Sequence, residues 1–150
     1  MGHTFSNNLY HIIFSTKKRR PIITTSHRHE IIRYMCGIMK NKHGIPLCVN
    51  AVEDHLHILA KVSPDMPVSK FVGEVKGNSS KWISDTFPDI RDFAWQAGYA
   101  CFTVSESARG SVAAYIKDQQ EHHSRGSFAD ELAAMLRKNG VAFDPKHYLD

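Results

Sequence analysis

The chain has 150 residues, of which 42% are hydrophobic and 23% charged, an ordinary globular composition whose length predicts one domain, residues 1–150, with a proper core. Nineteen basic residues against fifteen acidic ones leave a net charge of +4, and ten histidines add latent charge at mild acidity, a balance compatible with a polyanionic partner without demanding one. No run approaches the roughly 18 apolar residues of a membrane span, no signal-peptide core is visible, and the spacing of Cys36, Cys48 and Cys101 indicates neither a disulfide framework nor a zinc ribbon, so a cytoplasmic location is expected.

Asn7 to Ser15 alternates as a strand, with Tyr10, Ile12 and Phe14 on one face and Leu9, His11 and Ile13 on the other. Lys17, Lys18, Arg19 and Arg20 follow it; four adjacent cations are either a solvated loop or a phosphate contact, and Pro21 ends regular pairing. Ser26 to Lys42 repeats apolar residues at three and four (Ile31, Tyr34, Met35, Ile38), the signature of an amphipathic helix, with Gly44 placed to cap it. Ile45–Val52 and His55–Val62 are strands forming a hairpin through Glu53-Asp54. A helix carrying Val68, Phe71, Val72, Val75, Trp82 and Ile83 comes next, with Lys70, Lys76 and Lys81 along it as a basic edge. Gly73 and Gly77 each weaken that helix by about 1 kcal/mol, so Gly77 is expected to permit a close backbone approach. Phe93–Gln96 and Tyr99–Val104 are strand-like, Ser111–His123 is helical, and Ser127 followed by Asp130 opens a last helix with Phe128, Leu132, Met135 and Leu136. This order predicts an α+β fold, a ferredoxin-like or RRM-like antiparallel sheet with helices on one face, plus a further helix and a C-terminal one. The other sheet face is expected to hold a nucleic acid or a second subunit.

Two stretches carry chemistry. In Glu53-Asp54-His55-Leu56-His57, alternation puts His55, His57, Leu59 and Lys61 on one face of a strand, while Leu56, Ile58, Ala60 and Val62 make the core face. Two parallel imidazoles leaving a sheet can grip one divalent metal, although two histidines two apart are by themselves commonly just half-exposed. On the 111–123 helix, Tyr115 and Gln119 are neighbours four apart, and His122 continues the stripe. A phenol attacks poorly near its usual pKa of about 10. A metal that polarises a phosphodiester would let the phenolate displace a 3′-oxygen, with the amide of Gln119 completing the metal's donor set.

With both stretches in view, the chain resembles the HUH-superfamily single-tyrosine transposases of small bacterial insertion sequences, the IS200-like family, and their relatives that act on repetitive extragenic palindromes. The resemblance runs through Tyr10–Lys17, Glu53–His57, Lys76–Ser80, Trp95–Tyr99, Phe102–Ser105 and Tyr115–His123. It implies that His55, His57 and Gln119 bind magnesium or manganese, and that Tyr115 is the nucleophile. The implied substrate is single-stranded DNA with hairpin ends, cleaved to a 5′-phosphotyrosine and a free 3′-hydroxyl that permits rejoining without ATP. It also implies a homodimer in which the tyrosine helix of one subunit serves the histidine pair of the other.

Two imidazoles and an amide make a neutral donor set, so the sequence predicts weak metal binding until the DNA phosphate arrives. Lys17, Lys18, Arg19, Arg20, Lys61, Lys76, Lys81 and His122 are candidate DNA contacts. His11 is expected to be a satisfied core histidine, Trp95 a core residue, Glu53 and Asp54 solvated, and His123 turned away. The rival readings are a non-catalytic DNA- or RNA-hairpin module, a metal-dependent hydrolase in which water attacks, and another HUH nicking enzyme.

Overall fold

A computed structural model describes residues 2–150. Six elements build the frame in the order β1 (Leu9–Ser15), α1 (Thr25–Asn41), β2 (Gly44–Ala51), β3 (His55–Val62), α2 (Val68–Thr86) and β4 (Ala100–Thr103). The strands form one antiparallel sheet in the order β2-β3-β1-β4. This is the βαββαβ arrangement expected of a ferredoxin-like core. Three helices follow: α3 (Arg109–Lys117), α4 (Gln119–Arg125) and α5 (Phe128–Lys138).

Alternation along the strands separates the two faces. Ile12 and Phe14 from β1 and Leu56, Ile58, Ala60 and Val62 from β3 pack against Ile31, Met35 and Met39 of α1 and Phe71, Val72, Val75 and Ile83 of α2. That layer is the main core. The opposite face carries Leu9, Leu59 and Ile116 in one apolar cluster, and Ile13, Phe102, Phe128, Leu132 and Leu136 in another. The face expected to stay free is therefore covered by α3 and α5 of the same chain, because their apolar stripes need burial and the sheet offers the nearest apolar surface.

Several local expectations change. The segment 93–96 is not a strand; it makes one isolated bridge, Thr16 to Trp95, and Trp95 is buried with its Nε1 donating to Ser79 Oγ at 2.9 Å. Gly44 does not cap α1: His43 takes the left-handed conformation, at φ 61°. Gly44 opens β2 instead, where a Cβ would come within 2.5 Å of the Phe71 ring. Nothing crowds Gly77, so close approach is not its role. The helix expected over 111–123 breaks at Asp118 into α3 and α4. Asn50 of β2 holds that break, its Nδ2 donating to Ile116 O at 2.9 Å and to Gln120 Oε1 at 3.0 Å. At the start of α5, Ser127 Oγ accepts from Asp130 N at 3.2 Å, the capping contact that the sequence predicts.

Candidate active site

The sheet register puts Ser15 opposite His55, Ile13 opposite His57 and His11 opposite Leu59. His11, His55 and His57 thus leave the same face, and all three are buried. Helix α3 lays Tyr115 over this patch, with ring centroids 5.8 Å from His57 and 6.4 Å from His11. His122 stacks on Tyr115 at 4.5 Å. Gln119, at the first position of α4, is buried and places Oε1 3.1 Å from His55 Nε2.

A residue that sequence reasoning missed lies at the centre. Glu131 of α5 places Oε1 2.9 Å from His57 Nε2 and 3.3 Å from His55 Nε2. Its other oxygen, Oε2, accepts the Tyr115 hydroxyl at 2.6 Å and the Gln119 amide at 3.3 Å. One carboxylate therefore joins both imidazoles, the phenol and the amide. A signal was present: Phe128, Glu131 and Met135 are spaced three and four apart, so an acid occupies the inward stripe of α5. Charges are rarely placed on such a stripe without a partner.

The second nitrogen of each imidazole is also held. His55 Nδ1 lies 2.7 Å from Asp54 Oδ1, and His57 Nδ1 lies 2.8 Å from His11 Nε2. Asp54 is thus a partner of His55 rather than a solvated loop residue, and His11 is a satisfied buried histidine. His123 does not turn away; its Nε2 meets Glu53 Oε1 at 3.0 Å.

Electrostatics follow from this packing. Burial works against charge on His55, but hydrogen bonds and charge from Asp54 and Glu131 outweigh it and raise its pKa to about 9. His11 goes the other way, lowered to about 3 by burial and by the neighbouring His57. Burial likewise lowers His57, partly offset by Glu131. Burial and then the Glu131 carboxylate push the Tyr115 phenol up, which disfavours phenolate. Glu131 is held well below the usual carboxylate range because its hydrogen bonds to His55 and His57 overcome its own desolvation.

The donor set fits a divalent cation. Two ligands about 2.1 Å from one metal and at right angles lie about 3.0 Å apart. Three donor separations fall there, Gln119 to His55 at 3.1 Å, Glu131 to His57 at 2.9 Å and Glu131 to His55 at 3.3 Å, and the His55, His57 and Glu131 donors all lie within 4.8 Å of one another. Both imidazoles can present Nε2 inward while Nδ1–H donates outward to Asp54 and His11, the outer support typical of metal-bound histidine. Beside the site, a cleft of about 600 Å³ is lined by His11, Phe102, Val112, Tyr115, Glu131 and Met135, so the phenol is reached from solvent.

The comparison with known proteins decides the family. The model for IS200-like transposases matches residues 4–119. The chain belongs to the IS200-like transposase family. It is 32% identical to the transposase of insertion sequence element IS200 from Salmonella typhimurium, over 84% of this chain and 86% of the relative. Identity to the ISDra2 transposase TnpA of Deinococcus radiodurans is 24%, over 75% of this chain and 84% of that one. Among solved structures, a putative transposase from Deinococcus radiodurans superposes with a TM-score of 0.66 at 23% identity, covering 79% of this chain and 96% of the other. A REP-associated tyrosine transposase bound to a REP hairpin gives 0.61 at 13% identity, covering 97% and 91%. These two likenesses show the shared fold.

The candidate DNA contacts of this transposase separate by position. Lys17, Lys18 and Arg20 are exposed and Arg19 is half-buried, on a turn tied to the histidine strand because Thr16 N donates to Asp54 O at 2.8 Å. Lys61 shares the histidine face but sits six residues along β3 from His55, about 20 Å away. Lys76 and Lys81 belong to α2, in the layer on the opposite face. The Lys76 ammonium is committed to Ala97 O and Gly98 O at 3.1 and 2.8 Å, and Lys81 pairs with Asp85 at 2.9 Å. No helix among the described residues is long and apolar enough to cross a membrane.

Proposed function

We propose that this transposase cleaves and rejoins single-stranded DNA at hairpin ends of a small insertion sequence or repetitive palindrome, through a 5′-phosphotyrosine on Tyr115. The observation that carries the reading is the convergence of the Tyr115 hydroxyl and both imidazoles on the Glu131 carboxylate within one chain. A nucleophile and a metal-ligand pair that share a carboxylate are within reach of a single phosphodiester.

His55, His57 and Gln119 would hold the cation, magnesium or manganese. When bound, it supplies positive charge that polarises the phosphodiester and offsets the penalty on phenolate. The protein's own groups do the rest. Glu131 Oε2 aims the Tyr115 oxygen, and the His122 ring packs on the phenol and restricts its rotation. Attack forms the Tyr115 O–P bond and breaks the P–O3′ bond, and the proton that the phenol gives up is balanced by the one that the leaving 3′-oxygen takes up. Reversal by a second 3′-hydroxyl reseals DNA without ATP, since the phosphotyrosine conserves the bond energy. The Lys17–Arg20 turn, at the Asp54–His55 end of the sheet, would contact phosphates.

Tyr115 and its histidine pair meet here without help from another subunit. A homodimer remains part of this proposal, with the tyrosine helix able to serve either its own site or, after exchange, its neighbour's.

The test incubates the protein with single-stranded hairpins from its genomic flanks and manganese, then looks for a protein–DNA adduct that survives denaturation. Wild type is expected to form it and Tyr115→Phe to form none. Cleavage without adduct would point to water as the nucleophile, and binding without cleavage to a non-catalytic hairpin module. An adduct that persists in Tyr115→Phe would defeat the nucleophile assignment.

A further inference from the structure

We infer that Glu131, supplied by α5, is an anionic ligand of the metal, and that it gives the protein a divalent-cation site before any DNA arrives. This rests on the metal site proposed above and adds a residue to it. His55, His57 and Gln119 are neutral donors when a metal is bound. Such a set attracts a hard cation weakly, because magnesium and manganese favour oxygen ligands and negative charge. Glu131 changes that charge count: its Oε1 stands 2.9 and 3.3 Å from the two Nε2 atoms, the spacing of donors around one ion.

The position is built rather than incidental. Glu131 is the fourth residue of α5, whose start is capped by Ser127 and anchored by the buried Phe128, itself 4.4 Å from the His55 ring. A charged side chain at this depth is expensive unless paired, and its partners are the two imidazoles and two polar side chains of the same site. With Oε1 on the cation, Oε2 keeps its contact with the Tyr115 hydroxyl. Metal and nucleophile are then tied through a single carboxylate. His55, His57, Gln119 and Glu131 would hold the cation and leave it free to take phosphate oxygens as well. A divalent cation with one carboxylate retains net positive charge to attract the phosphodiester.

Manganese binding to the full chain without DNA tests this, read by loss of the free-ion electron paramagnetic resonance signal, with thermal melts to confirm folding. Wild type should bind. Glu131→Gln, which keeps an oxygen for the Tyr115 hydroxyl but loses the charge, should weaken affinity by at least about 10–100-fold, the range seen for loss of a supporting group. Glu131→Asp should fall between the two and stands in if the glutamine variant unfolds. Unchanged or tighter manganese binding in Glu131→Gln overturns the inference, as does absence of binding by wild type until a hairpin is added. His57→Ala separates this from the site itself. If that variant binds as wild type does, the metal site fails; if it loses binding while Glu131→Gln keeps it, only the role of Glu131 fails.

Discussion

The two faces of the sheet are built from the same strands and do opposite work. On one, Ile12, Phe14, Leu56, Ile58 and Ala60 meet α1 and α2 in an apolar layer. On the other, His11, His55 and His57 interrupt the apolar residues, and α3 to α5 close over them with Tyr115, Gln119 and Glu131. A period of two lets neighbouring residues such as Leu56 and His57 belong to different environments. The first face gains stability from close packing. The second accepts buried polar groups, each needing a partner, and gathers the candidate active site.

Truncating the apolar face should have the largest effect on stability. Phe71→Ala empties a fully buried position and should destabilise by about 3–5 kcal/mol in denaturant melts, with manganese affinity of the folded fraction preserved. A parallel loss of affinity would show that the faces are coupled. Gly44→Ala drives a Cβ into the Phe71 ring and should lose about 1–3 kcal/mol. His57→Ala on the opposite face removes the partner of His11 and Glu131, for about 1–3 kcal/mol, yet should abolish the DNA adduct. Ser127→Ala, which loses the cap of α5, should reduce stability by about 1 kcal/mol and weaken manganese binding by loosening Glu131.

Acidity sharpens the contrast, because the histidine face carries buried imidazoles whose pKa values move in opposite directions. The His11 pKa is lowered to about 3, so the unfolded chain binds more protons and stability falls as pH drops below about 6.5. The His55 pKa is raised to about 9, so its contribution is complete below about 6.5 and is lost as pH rises towards 9. The metal-free protein should therefore have its highest Tm near pH 6.5. Saturating manganese, replacing the proton on His55, should extend that maximum to higher pH. A flat Tm from pH 6.5 to 9 without metal would contradict a protonated His55.

Much of the frame was legible because it depends on local pattern. Alternation marks β1, β2 and β3, and the three-and-four spacing marks α1 and α2, with ends within a few residues of those observed. The separation of His55 and His57 from Leu56 and Ile58 follows from strand geometry alone. The segment 93–96 misled because Phe93 and Trp95 are buried by packing against Phe14 and α2, not by pairing along a strand. Helix periodicity over 111–123 could not reveal the break at Asp118, which Asn50 holds from a distant strand.

By itself the sequence determined residue types, their spacing and the face each occupies, because those depend on the backbone period of a strand or helix. That reaches as far as an imidazole pair on one strand, and a tyrosine and a glutamine four residues apart. Only tertiary structure decided which helix lies over which face, and so brought Glu131, 74 residues from His57, to the point between the imidazoles and the phenol. It also assigned Asp54 and His11 to the outer nitrogens of the pair. The reason is that contacts across such separations arise from burying several apolar stripes at once, a condition on the whole chain that no local stretch contains.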